Sequence, residues 1–74
     1  MTLATTAIGE EVRLIEVQGG KQIRKRLADL GLNMGMTVRV VHGIHQGPII
    51  LAVKDSRLAI GRGMAEQIIV EKVN

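Results

Sequence analysis

LADLGLNMGMTVRV, from Leu27 to Val40, changes its period halfway along. Together with Ile23, its first apolar residues, Leu27 and Leu30, recur at i, i+4 and i+7, one stripe of an α-helix running from Lys21 to Leu30. Met36, Val38 and Val40 then alternate with Thr37 and Arg39, the two-residue period of a strand with one face inward. Between them stand Gly31, placed where a helix C-cap needs φ > 0, and Gly35, which closes the turn Asn33-Met34-Gly35. Leu30-Gly31-Leu32 thus reads as a helix stop with an apolar contact after the cap.

Upstream of the helix, EVRLIEV is ended by GG, Gly19-Gly20. Its apolar positions switch parity, Val12 and Leu14 first, then Ile15 and Val17, which predicts a bulge or sharp bend in that strand. Ile8-Gly9-Glu10-Glu11-Val12-Arg13 and Met34-Gly35-Met36-Thr37-Val38-Arg39 align as two similar turn-into-strand starts. Downstream, HGIHQGP from His42 to Pro48 is a hairpin tip, with Gly47-Pro48 as turn formers. PIILAVK is continuously apolar and predicts a strand covered on both faces. Asp55-Ser56 predicts a tight turn, RLAIG a short strand, GRGMAEQ from Gly61 to Gln67 a glycine-flanked turn or single helical turn, and IIVEKV a closing strand. The order is β-α-β-β-β-turn-β. Five short strands and one helix predict a mainly β, SH3-like barrel, a single domain over residues 1–74, whose closure would remove most exposed sheet edges.

Composition narrows what such a barrel can do. A chain of 74 residues buries only about 60% of its unfolded surface, which leaves little core to spare for an enclosed reaction site. Phe, Trp and Tyr are all absent. Neither the aromatic grooves that hold proline-rich ligands nor the stacking platforms that hold single-stranded nucleic acid are available. With a net charge of only +3, no nucleic-acid partner is expected, although a small nucleic-acid-binding barrel is an alternative. There is no cysteine, which fits a reducing compartment. The longest apolar run, Pro48 to Val53, is far short of the roughly 20 residues of a membrane span. MTLATTAIGEE carries no positive region followed by an apolar core, so no secretory signal is read there.

Catalytic patterns are wanting. Ser56 is the only serine and no triad arrangement surrounds it. The P-loop spacing is absent, and Gly61-Arg62-Gly63 lacks the strand-and-helix context of a phosphate cradle. His42 and His45 flank the hairpin tip and are candidate ligands for a divalent transition metal, with Asp55 or Glu66 as candidate third donors. The helix carries the other signal. Lys21 and Lys25 face away from the apolar stripe, Arg24 and Arg26 flank it, and only Asp29 offsets them, which makes a candidate docking surface for an acidic partner.

Gly20, Arg26-Leu27, Leu30-Gly31-Leu32, Gly35, Gly47-Pro48, Leu58-Ala59, Ala65 and Ile68-x-Val70, in that order and spacing, resemble the ferrous iron transport protein A (FeoA) domain family from Leu3 to Val70. Members often have proline before the turn glycine, where this chain has Ile8 and Met34. The resemblance implies an SH3-like barrel with a helix packed on it. It further implies a non-catalytic, cytoplasmic accessory of bacterial ferrous iron uptake that requires no cofactor and is not itself inserted in the membrane. The partner it implies is the membrane-embedded GTPase transporter FeoB. Similar domains also end metal-dependent repressors, so the alternative it leaves is a module that binds iron or zinc.

Overall fold

The computed structural model describes residues 1–43 and 47–73. Its strands are β1 (Glu11–Val17), β2 (Thr37–Gly43), β3 (Ile49–Val53), β4 (Ser56–Ile60) and β5 (Ile68–Lys72), with helices α1 (Lys21–Asp29) between β1 and β2 and α2 (Arg62–Ala65) before β5. A 3-10 turn at Leu3–Thr5 precedes them. The strands form one antiparallel sheet in the order β4-β3-β2-β1-β5. This is the expected SH3-like arrangement, with one correction: among the described residues β4 and β5 do not pair, so the barrel stays open. The reason lies at the other end of the chain. Thr2 bridges Ile69 and the Val70 N–H donates to the Met1 carbonyl at 2.9 Å, so the outer edge of β5 is taken by the N-terminal segment before β4 could reach it.

The sheet coils because two of its strands bulge. In β1 the pairing with β5 slips between Leu14 and Glu16, at the parity switch, and the extra residue Ile15 is turned out to solvent. In β2 the pairing with β3 slips between Val40 and His42. Each slip sharpens the local twist and wraps the ladder around its contents. The two similar turn-into-strand starts meet face to face. Gly9 N–H donates to the Val40 carbonyl (2.6 Å) and Gly35 N–H to the Leu14 carbonyl (2.7 Å). These bonds are related by a local two-fold through the Val12–Val38 pair.

The buried core is wholly aliphatic: Val12 and Leu14 of β1, Val38 and Val40 of β2, Leu51 of β3 and Ile68 of β5 lie within it, together with Leu3 and Ala65. Three expectations need correction here. β3 is buried on one face only: Ile49, Leu51 and Val53 are buried, whereas Ile50 and Ala52 on the outer face are half-buried. In the helix stripe Leu27 is buried, Ile23 is partly buried and Leu30 is 42% exposed. The helix ends at Asp29, and the reversal at Gly31 delivers Leu32 to the core in Leu30's place. The β3–β4 loop is Lys54-Asp55, one residue earlier than expected, since Ser56 already pairs with Val53. Lys54 takes φ +54°, a conformation that its side chain gives no hint of.

Candidate functional site

β1 ends at two glycines with positive φ, Gly19 (+115°) and Gly20 (+94°). Gly19 is packed so closely that a Cβ there would overlap the Gln67 side chain and the tip of Ile23. The Gln18 N–H donates to the Gln67 carbonyl at 2.7 Å, so the start of the helix is pinned to the loop before β5. Gly20 is the N-cap of α1 and offers no side-chain cap. At the far end Gly31 N–H donates to the Ala28 carbonyl (2.9 Å) and Leu32 N–H to the Leu27 carbonyl (2.8 Å). That bonding pattern is a Schellman motif. The nine residues of α1 are therefore held at both ends by glycine geometry and in the middle by one buried side chain, Leu27.

What this leaves in solvent is the cationic set. Lys21, Arg24, Lys25 and Arg26 are all exposed. Among the described residues none of the four forms a salt bridge, whereas three of the sheet's four cations do: Arg13 with Glu71 (2.8 Å), Lys72 with Glu10 (3.5 Å) and Arg39 with Glu11 (3.8 Å). Four cations and one carboxylate, Asp29, give α1 the whole net charge of +3, because the remaining six cations and six carboxylates cancel. This arrangement works against the helix. Lys21 and Lys25 repel at i, i+4, and Lys21 and Arg24 sit at the positive end of the helix dipole with no acidic residue in the first turn. Folding alone does not ask for such a pattern; an acidic partner would.

Two open grooves flank the helix. One, of about 360 Å³, is lined by Gln22, Ile23, Lys25, Arg26 and Asp29. The other, of about 350 Å³, lies between Arg24, Lys25 and Ala28 on one side and Asn33 and Met34 on the other, over Leu27 and Leu32. Lys25 stands on the ridge between them. The second groove is the part that reading the chain missed, since it exists only because the reversal at Gly31 folds Leu32 to Met34 back beside the helix. Leu30-Gly31-Leu32 was its one visible signal.

The remaining candidates are scattered. Gly31, Gly35 and Gly47 have φ of +91°, +93° and +94°. Gly61 is the N-cap of α2 at φ −60° and Gly63 lies inside that helix, so neither is a turn that requires glycine. Pro48 directly precedes β3. His42 is exposed on β2, opposite Ile50; His45 lies outside the described residues. Among the described residues no three His, Asp or Glu side chains gather as metal ligands. No helix among them is long and apolar enough to cross a membrane.

Comparison with known proteins places this geometry among relatives. The family model for the FeoA domain matches residues 1–72. A Methanocaldococcus jannaschii protein provisionally named Fe(2+) transport protein A is 39% identical over 69 residues, which cover 93% of this chain and 83% of that one. The crystal structure of an iron uptake regulatory protein, FeoA, matches with a TM-score of 0.92 at 33% identity, over 99% of this chain and 97% of that one. A manganese-dependent transcriptional repressor contains the same fold, with a TM-score of 0.88 at 19% identity over 99% of this chain and 41% of its own.

Proposed function

This chain belongs to the FeoA domain family, and on that premise we propose that it is a non-catalytic, cytoplasmic accessory of ferrous iron transport that docks through α1 on the cytosolic side of the membrane GTPase transporter FeoB. The observation that carries the reading is the charge of α1, where Lys21, Arg24, Lys25 and Arg26, without a salt bridge among the described residues, hold the molecule's entire electrostatic excess in solvent. Such a surface steers an acidic partner and fixes its orientation more than it adds raw affinity. A non-catalytic role is supported by how the interior is spent, since every buried side chain among the described residues is aliphatic and the work is left to the outside.

The test is binding of the purified chain to full-length FeoB in detergent, followed by the triple variant Arg24→Glu, Lys25→Glu, Arg26→Glu. The reading requires a complex that the triple variant loses and that weakens as salt rises. Absence of a complex with the wild-type chain would remove FeoB as partner. A complex indifferent to the triple variant would remove α1 from the interface.

A further inference from the structure

We infer that the groove between α1 and the Asn33-Met34 turn receives a short acidic segment of the partner protein that carries one apolar side chain, the apolar group lying on Ala28 and Met34 and its neighbouring carboxylates on Arg24 and Lys25. This rests on the docking reading above and names the chemistry of what docks. The groove, of about 350 Å³, is at the low end of the 300–1,000 Å³ or so in which small ligands are held, so it suits one or two side chains of a peptide and not a globular surface. Its lining is divided. Leu27 and Leu32 form a floor already sealed into the core, while Ala28 and Met34 are exposed above it. Ala28 is short and leaves room for a guest; Met34, 38% exposed, has the unbranched thioether that adapts to differently shaped guests.

Charge selects the guest. Arg24 and Lys25 border the apolar lining, and no carboxylate borders this groove, because Asp29 lines the other one. An arginine guanidinium offers a planar fork to a carboxylate, and beside apolar surface that pairing is less screened than in open water. An apolar guest without acid would leave both cations facing it; an acid without an apolar side chain would leave Met34 and Ala28 wet. Only a segment carrying both satisfies both halves. The concavity also decides against an anionic bilayer as the occupant: a flat lipid surface would meet the ridge at Lys25 and leave the floor beside it untouched.

The experiment uses the whole chain and full-length FeoB. A photo-crosslinking benzoylphenylalanine is placed at position 34, with a control at position 8. Ile8, 60% exposed, lies at the opposite end of the β1–β2 ladder. Crosslinked FeoB peptides are identified by mass spectrometry. Position 34 is expected to label a FeoB segment with an apolar residue flanked by Asp or Glu, and position 8 to label none. In parallel, Ala28→Trp fills the groove and Met34→Lys makes it polar; each is expected to weaken the complex about tenfold or more, with far-UV circular dichroism unchanged. A complex of normal strength with both variants overturns the groove but leaves docking by α1 standing. A wild-type chain that forms no complex overturns both. Crosslinking at position 34 to lipid, with binding to phosphatidylglycerol vesicles lost in Arg24→Glu, replaces the acidic segment by a bilayer and overturns the inference.

Discussion

Leu32 donates its main-chain N–H to the Leu27 carbonyl at 2.8 Å, and the two side chains lie buried together at 1% exposure each. The bond is possible only because Gly31 between them adopts φ +91°. Space is not the constraint there, since a Cβ at Gly31 would meet nothing within 4 Å. Gly31→Ala should therefore cost the backbone term alone, about 1–2 kcal/mol. Urea unfolding monitored by circular dichroism measures it. Gly63→Ala is the internal control. That glycine lies inside α2 with open space around its Cβ, so alanine there should stabilise by about 0.5–1 kcal/mol.

Gly19 poses the opposite problem, with strain and overlap together. Gly19→Ala must hold φ +115° and also displace the Gln67 side chain and the tip of Ile23. The expected loss is about 1–2 kcal/mol, mainly backbone strain, because the overlapped atoms are the ends of side chains that can turn aside. The double variant Gly19→Ala, Gln67→Ala separates the two in part, because it removes the Gln67 share of the overlap and leaves the Ile23 contact and the strain. Recovery of only a minor part of the loss is expected. Full recovery would mean that the backbone tolerates the turn without glycine.

Among the helix leucines only one anchors. Leu27→Ala should cost about 2–5 kcal/mol, the range for a buried leucine, and should raise hydrogen exchange throughout α1 ahead of the sheet. Leu30→Ala, at a position 42% exposed, should change stability by less than about 0.5 kcal/mol. Equal effects at the two positions would contradict the burial that places Leu32, not Leu30, in the core.

These contrasts mark where the chain is legible. The period change after Leu30, the parity switch at Ile15 and the glycine at position 31 each leave a local trace, because each is dictated by the residue's own backbone or by the face its neighbours need. The open barrel leaves none. Met1 and Thr2 cover the β5 edge through main-chain bonds, which no side-chain pattern records. The outer face of β3 is misread for a related reason: Ile50 and Ala52 complete an apolar run although they lie on the face turned away from the core and are only half-buried. The basic helix is visible in the chain as charge, but the groove beside it is a product of the reversal at Gly31 and appears only in three dimensions.

Lys54 shows how a residue type can mislead. It is the one non-glycine residue at positive φ among those described, at the first position of a two-residue hairpin loop. A lysine there bears about 1–2 kcal/mol of strain, and glycine would relieve it while adding about 0.5–1 kcal/mol of chain entropy to the unfolded state. Lys54→Gly should therefore stabilise by a net amount of up to about 1 kcal/mol. Thermal unfolding of the two proteins decides it, and a lower midpoint for the variant would mean that the lysine side chain has a stabilising role that outweighs its backbone.

Lys21 separates stability from docking most directly. It begins α1 at the positive end of the helix dipole, four residues before Lys25, and it has no salt bridge among the described residues. Lys21→Glu reverses both penalties. A carboxylate in the first turn gains about 0.3–1 kcal/mol from the dipole, and Glu followed by Lys at i, i+4 gains about 0.2–0.5 kcal/mol more. The variant should melt at a higher temperature than the wild type. If α1 is the docking surface, the same change halves nothing in the fold yet lowers the helix charge from +3 to +1, so the complex with FeoB should weaken and lose part of its salt dependence. A gain in stability coupled to a loss of binding is the signature of a residue kept for its partner. A gain in stability with binding intact would take Lys21 out of the interface and confine docking to Arg24, Lys25 and Arg26.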